Sequence, residues 1–417
     1  MEMSDFYARY AAIALEVGCN VQPGQEVYVR VPIDAAGLVP HLVRGAYDRG
    51  ALFVHVEYRD QRAIRARMEY APEETLSFVP PGVLGERLRV AKTGGASLAV
   101  LGEDPMGLTG VPPERRGPIV KAYAEATSEI RALTMSDFYP WCVISMPNPS
   151  WAARVYPDLS PDEALARLTE AVAHACRLDT DDPVGAWRDH SRRLMRLASW
   201  LTEKAFDRFE YAAPGTELSV GMPADQNWIG TEGISANGVT FIANMPTDEV
   251  FCAPDWRRVE GVVRSSRPLV LGGTNVGHAE FVIEAGRITG ASSESDQAIL
   301  DQELDLDERS RYLGEIALVS EDAPVASLAT TFYDGLYDEN AGCHFAFGNA
   351  YTNCVHGGSN MTDDEKQAAG LNVSQQHVDF TVGSADLAIT GITGAGERMT
   401  IMSNGLWSDE LVQATGL

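Results

Sequence analysis

The sequence predicts a two-part fold: an α/β N-terminal domain with a mostly parallel sheet, then an α+β, β-rich C-terminal domain. Helical and strand-like periodicity alternate through the first third of the chain and helix-rich stretches continue to residue 206, whereas short β-like runs with Gly-rich turns dominate residues 207–417. A chain of 417 residues also suffices for about two or three full-sized cores.

Residues 5–19 carry apolar side chains at helical spacing, and Pro23-Gly24 makes a turn before Glu26–Val31, which alternates like a strand. Helical spacing returns over 36–49, Gly50 ends it, and Leu52–Glu57 forms a second strand. Strand, helix and strand in that order make a βαβ unit, which implies a parallel sheet. Leu98–Gly102 fits a further buried strand and its closing turn. No GxGxxG or GxxxxGK[ST] follows these strands, so Gly94-Gly95 and Gly272-Gly273 read as turns rather than phosphate loops. Residues 113–135 and 161–206 are helix-rich, the latter opening on Ser160-Pro161-Asp162-Glu163, an N-cap followed by acids in the first turn. Beyond Phe209 the expected strands are 217–220, 239–242, 269–271, 280–283, 316–320 and 378–382. The domain boundary falls near residue 206. There is no internal repeat and no low-complexity segment.

Lys and Arg number 33 against 59 Asp and Glu, a formal charge of −26. A polyanion needs a basic face, so this balance argues against nucleic acid and against an acidic membrane surface. No apolar run is long enough to span a bilayer, and the opening MEMSDFYARY places acids where a secretory signal needs basic residues. A soluble cytoplasmic protein is expected. Cys19, Cys142, Cys176, Cys252, Cys343 and Cys354 form no CxxC pair and read as buried free thiols.

The chemistry-bearing residues gather in the C-terminal half. In His377-Val378-Asp379-Phe380, strand alternation puts His377 and Asp379 on one face. An imidazole and a carboxylate so placed can coordinate one divalent ion, although a core histidine beside a surface aspartate fits equally. His344 lies five residues past Glu339 among small and apolar residues, Glu315 directly precedes a run expected to be buried, and Glu249 adjoins Val250-Phe251. Carboxylates bordering buried runs are costly unless paired or bound to a cation, although each alone fits an exposed strand end equally well. Together these acids and imidazoles suit Zn²⁺, Mn²⁺ or Co²⁺ and suffice for two ions sharing a ligand. His344, His377 and Asp379 alone instead form the two-His-one-carboxylate set of mononuclear iron(II) oxygenases, so a ring-cleaving dioxygenase is the competing reading. A metal-free binding protein is the third.

The blocks NMPTDEVFCAPD, LGEIALV, YDENAGCHFAFGNAY and NVSQQHVDFTVGS resemble motifs of the M29 metallo-aminopeptidases, the thermophilic aminopeptidase T group. The opening YARYAAIALEVGCNVQPGQEVYVRVP and the segment NPSWAARVYPD extend the resemblance over nearly the whole chain. The resemblance implies that residues 207–417 are the catalytic domain, hydrolysing the N-terminal peptide bond of peptides with a free N-terminus. It implies two divalent ions (Zn, Co, Mn or Mg) on Glu249, Glu315, Glu339, His344, His377 and Asp379. Glu315 is then the shared carboxylate and general base, Tyr351 the catalytic tyrosine, and the assembly a homodimer. The chain departs from the family where Cys252 replaces a threonine, and residues 391–399 are less typical. Without the resemblance, Tyr351 reads as a core tyrosine.

Overall fold

The computed structural model describes every residue except Pro81, Val83, Pro105, Gly272 and Gly273, so the turn expected at Gly272-Gly273 lies outside the described residues. The chain divides into two compact units, Met1–Arg188 with Glu232–Pro246, and Asp189–Thr231 with Thr247–Leu417. The division falls inside the helix Pro183–Lys204 rather than at residue 206. Leu194, Leu197, Ala198 and Leu201 explain why: they are buried in the second unit's core.

The first unit is built on β1 (Glu26–Pro32), β2 (Phe53–Arg59), β3 (Ala96–Leu101), β4 (Trp141–Ser145) and β5 (Asn244–Met245), in the order β2-β1-β3-β4-β5. All four pairings are parallel, as the βαβ pattern predicts. β4 and β5 escaped the sequence reading, and β5 is two residues long and enters from a distant part of the chain. The helix from Met3 continues as a π-helical turn to Gly18, and Gly50 takes φ +85°, the left-handed conformation that ends a helix without strain. Ser160 and Glu163 form the capping box of Pro161–Ala175.

The second unit packs two antiparallel sheets around one core. The larger has eight strands in the order 287–293, 279–284, 259–264, 216–221, 208–213, 388–392, 398–403 and 406–407. The smaller comprises β6 (Val250–Cys252), β7 (Leu313–Leu318), β8 (His344–Gly348) and β9 (His377–Thr381), in that order. Aromatic pairs knit the sheets: Tyr211 meets Phe345 at 4.9 Å between centroids, and Phe281 meets Phe380 at 4.7 Å.

The smaller sheet is two-faced by register. Ile316 stands opposite Phe345, and Phe345 opposite Phe380, on the core side. The alternate residues, Glu315, Ala346 and Asp379 in one row and Ala317, His344 and Thr381 in the next, share the other face. The run expected at 316–320 begins three residues earlier, so Glu315 lies within a wholly buried strand instead of ahead of it. An irregularity between Leu313 and Glu315 sets this phase. At its centre a Cβ on Gly314 would meet the carbonyl oxygens of Gly348 and Asn349. Gly314→Ala is expected to cost about 1–3 kcal/mol, the usual range for overpacking. Chemical denaturation with an unchanged midpoint would refute that.

Candidate metal centre

The polar face of the smaller sheet collects the residues singled out in the sequence. Its middle row is Glu315, Ala346 and Asp379, and the small Ala346 leaves room between the two acids. His377 lies across from Gly348 on β8, and Glu249 immediately precedes β6.

Two groups result, Glu249 with Glu315 and His344, and Glu315 with His377 and Asp379, each holding its ligand atoms within 4.8 Å of one another. His344 Nε2 lies 3.2 Å from Glu249 Oε2 and 3.7 Å from Glu315 Oε1. His377 Nε2 lies 3.0 Å from Glu315 Oε2 and 3.1 Å from Asp379 Oδ1. Glu315 thus turns one oxygen to each group.

Both imidazoles are aimed by main-chain carbonyls that the sequence gives no means to foresee. His344 Nδ1 is 3.2 Å from Gly342 O, and His377 Nδ1 is 2.7 Å from Asn349 O. Each contact places a proton on Nδ1 and leaves Nε2 to face the carboxylates, the arrangement that second partners impose on metal-ligating histidines.

Without an ion the cluster is poorly compensated. Glu249 Oε2 and Glu315 Oε2 are buried with no partner beyond the facing imidazoles, which stand at 3.2 and 3.0 Å. Buried carboxylate oxygens so placed are costly, and a cation in each group would compensate them. Burial opposes charge on both histidines, but the facing carboxylates outweigh it, lifting His377 to about 11 and His344 well above its usual value. Burial also pushes Glu315 upward, yet His344 and His377 draw it down to about 2.

Glu339 stands in neither group. It opens the 3₁₀ turn Glu339–Ala341, where burial and then the charges of Glu249 and Asp379 drive its carboxyl well above the normal range. Tyr351 follows β8, with its ring edge-on to His377 at 5.2 Å and 5.4 Å from Phe251. At 38 % exposed it is not the core tyrosine that an isolated reading suggests. The two cysteines near the ligand segments turn away: Cys252 stands opposite core Ile316, and Cys343 Sγ contacts Val319 O at 3.2 Å. All six cysteines are buried and outside any disulfide. His344 and His377 fall in separate groups joined by Glu315, an arrangement that departs from the three-ligand set of an iron(II) oxygenase. No described helix is long and apolar enough to cross a membrane.

The family profile for thermophilic metalloproteases (M29) matches residues 4–407. Aminopeptidase 2 of Geobacillus stearothermophilus is 38% identical over 97% of this chain and 98% of its own. Aminopeptidase T of Thermus thermophilus is 39% identical over 96% of this chain and 97% of its own. The solved structure of wild-type AmpT from Thermus thermophilus superposes with a TM-score of 0.91 at 37% identity, covering 97% of this chain and 100% of that one. With a profile spanning nearly its whole length, relatives at this identity and a shared fold, the chain belongs to the M29 family and is a metal-dependent aminopeptidase.

Proposed function

We propose that the second unit is the catalytic domain and cleaves the N-terminal peptide bond of peptides at a two-ion centre. Its ligands are Glu249, Glu315, Glu339, His344, His377 and Asp379. The observation that carries this reading is the sharing of Glu315, with Oε1 toward the His344 group and Oε2 toward the His377 group. Two ions held in this way would lower the pKa of a water bridging them and polarise the scissile carbonyl. The imidazole share of the donor set favours Zn²⁺, Co²⁺ or Mn²⁺ over Mg²⁺.

Glu315, the one carboxylate common to both groups, also receives the proton as general base. Glu339, electrostatically close to Glu249 and Asp379, completes the donors. Tyr351 donates its hydroxyl hydrogen to the oxyanion that develops on the scissile carbonyl. The surplus of carboxylates offers a free α-amine an anionic partner, and the relatives' names as aminopeptidases support that substrate class. The family resemblance supports a homodimer, and six cysteines outside disulfides suit a cytoplasmic setting.

Metal analysis should find two ions per chain. Chelation should stop the hydrolysis of chromogenic amino-acid amides, and re-addition should restore it. Ion uptake should also release protons, because His377, lifted to about 11, is protonated at neutral pH in the ion-free chain, and His344 is shifted in the same direction. Affinity must therefore rise with pH, since fewer protons compete. Calorimetric binding enthalpies that do not vary with the buffer's ionisation heat would contradict this, and one ion or none per chain would overturn the centre itself.

A further inference from the structure

Glu249 and Glu339 reach the centre differently from His377 and Asp379. The latter two sit inside β9, held by its ladder to β8. Glu249 lies just ahead of β6, and Glu339 opens a 3₁₀ turn. Something other than a strand ladder must fix the distance between these two acids.

Asn340 supplies that link. It is wholly buried, at 0 % exposed. Its Oδ1 accepts the main-chain N–H of Asp248 at 2.7 Å, and its Nδ2 donates to Leu336 O at 3.0 Å. One side chain therefore ties the residue before Glu249 to the turn that carries Glu339. The task needs an acceptor and a donor on one short stem, which asparagine has. An aspartate would set a second acceptor against the Leu336 carbonyl, and an apolar residue would leave both main-chain groups buried without this partner. The same segment is held from the other side by His190, whose Nε2 lies 2.8 Å from Thr247 O.

We infer that Asn340 is a positioning residue that sets the separation of Glu249 and Glu339 and thereby the affinity of the ion site built on Glu249, Glu315 and His344. The inference rests on the two-ion reading above. It predicts a loss confined to one site, because the His377–Asp379 strand is held independently of Asn340.

The test is Zn²⁺ affinity by chelator competition on Asn340→Ala and the milder Asn340→Ser, alongside hydrogen exchange of the Asp248 amide in the ion-free protein. Gln226→Ala is the control for losing a buried amide, since Gln226 Nε2 donates to Phe206 O and its Oε1 accepts from Trp228 Nε1. Both Asn340 variants should bind one of two Zn²⁺ ions more weakly, by about 10–100-fold for alanine, the effect typical of outer partners of metal ligands. The second ion should keep its affinity, and the Asp248 amide should exchange faster. Gln226→Ala should lower stability and leave both affinities intact. The clamp is overturned if both ions bind the Asn340 variants as in wild type, or if both weaken equally. A wild-type chain that holds one Zn²⁺ overturns the two-ion reading alone, and Asn340 then stands or falls on whether its variants weaken that ion.

Discussion

On the proposed two-ion reading, with Glu315 as bridge and base, Glu315→Gln should cost both ion sites and nearly all turnover. The substitution keeps shape and burial but replaces a carboxylate whose two oxygens face different imidazoles. A neutral amide presents one acceptor and one donor, so it cannot bridge two cations and cannot take up a proton. Turnover should fall by about 10²–10⁴-fold from the loss of a positioned base alone, with bound metal dropping below two ions per chain. The ion-free protein should suffer too, because removing one partner of a buried charged cluster typically costs about 3–5 kcal/mol. That cost has a pH signature. The Glu315 carboxyl is held at about 2, below its ordinary 4.5, so its stabilisation is complete above pH 4.5 and fades as pH falls toward 2. In the variant this part of the acid dependence should vanish. A Glu315→Gln chain that binds two ions and turns over amino-acid amides at the wild-type rate would remove Glu315 from the centre.

Part of the candidate centre was legible in the sequence because that face of the sheet is written in alternation. His377 and Asp379 two residues apart, and His344, Ala346 and Gly348 in the same phase, require no knowledge of pairing to be placed on one side. Pairing itself was not legible. Glu315 reads as a strand-edge acid until the irregularity at Gly314 is seen to shift β7 and draw Glu315 inside it. Glu339 is a different case, since no periodicity governs a three-residue 3₁₀ turn and only its spacing from His344 marked it. Asn340 escaped because a buried amide in a loop has no sequence signature, its value lying in two main-chain partners, one of them 92 residues away. The first unit shows the same division. Its βαβ start announced a parallel sheet, whereas β5, two residues borrowed from a distant segment, is visible only once the chain is folded.

On the proposed role of Tyr351 as oxyanion donor, Tyr351→Phe should separate catalysis from ion binding. Tyr351 is positioned by packing rather than by the cluster's charges: its ring stands edge-on to His377 at 5.2 Å and 5.4 Å from Phe251. Phenylalanine preserves those contacts and removes only the hydroxyl. Partial burial and the carboxylates of Glu315, Asp379, Glu339 and Glu249 drive the phenol above its usual value, so it is a neutral donor at working pH. A neutral donor gains most from a charge that appears during reaction, and the oxyanion on the scissile carbonyl is such a charge. The variant should therefore fold, hold its ions and bind substrate nearly as wild type, because the lost hydrogen bond matters only in the transition state. Its kcat should drop by about 10²–10³-fold, or about 3–4 kcal/mol, as when one oxyanion donor is removed. The decisive measurement is kcat on an amino-acid amide with metal content assayed in the same preparation. A full complement of ions with near-wild-type kcat would leave Tyr351 as a packing residue for His377, and a loss of ions with the hydroxyl would make it a ligand.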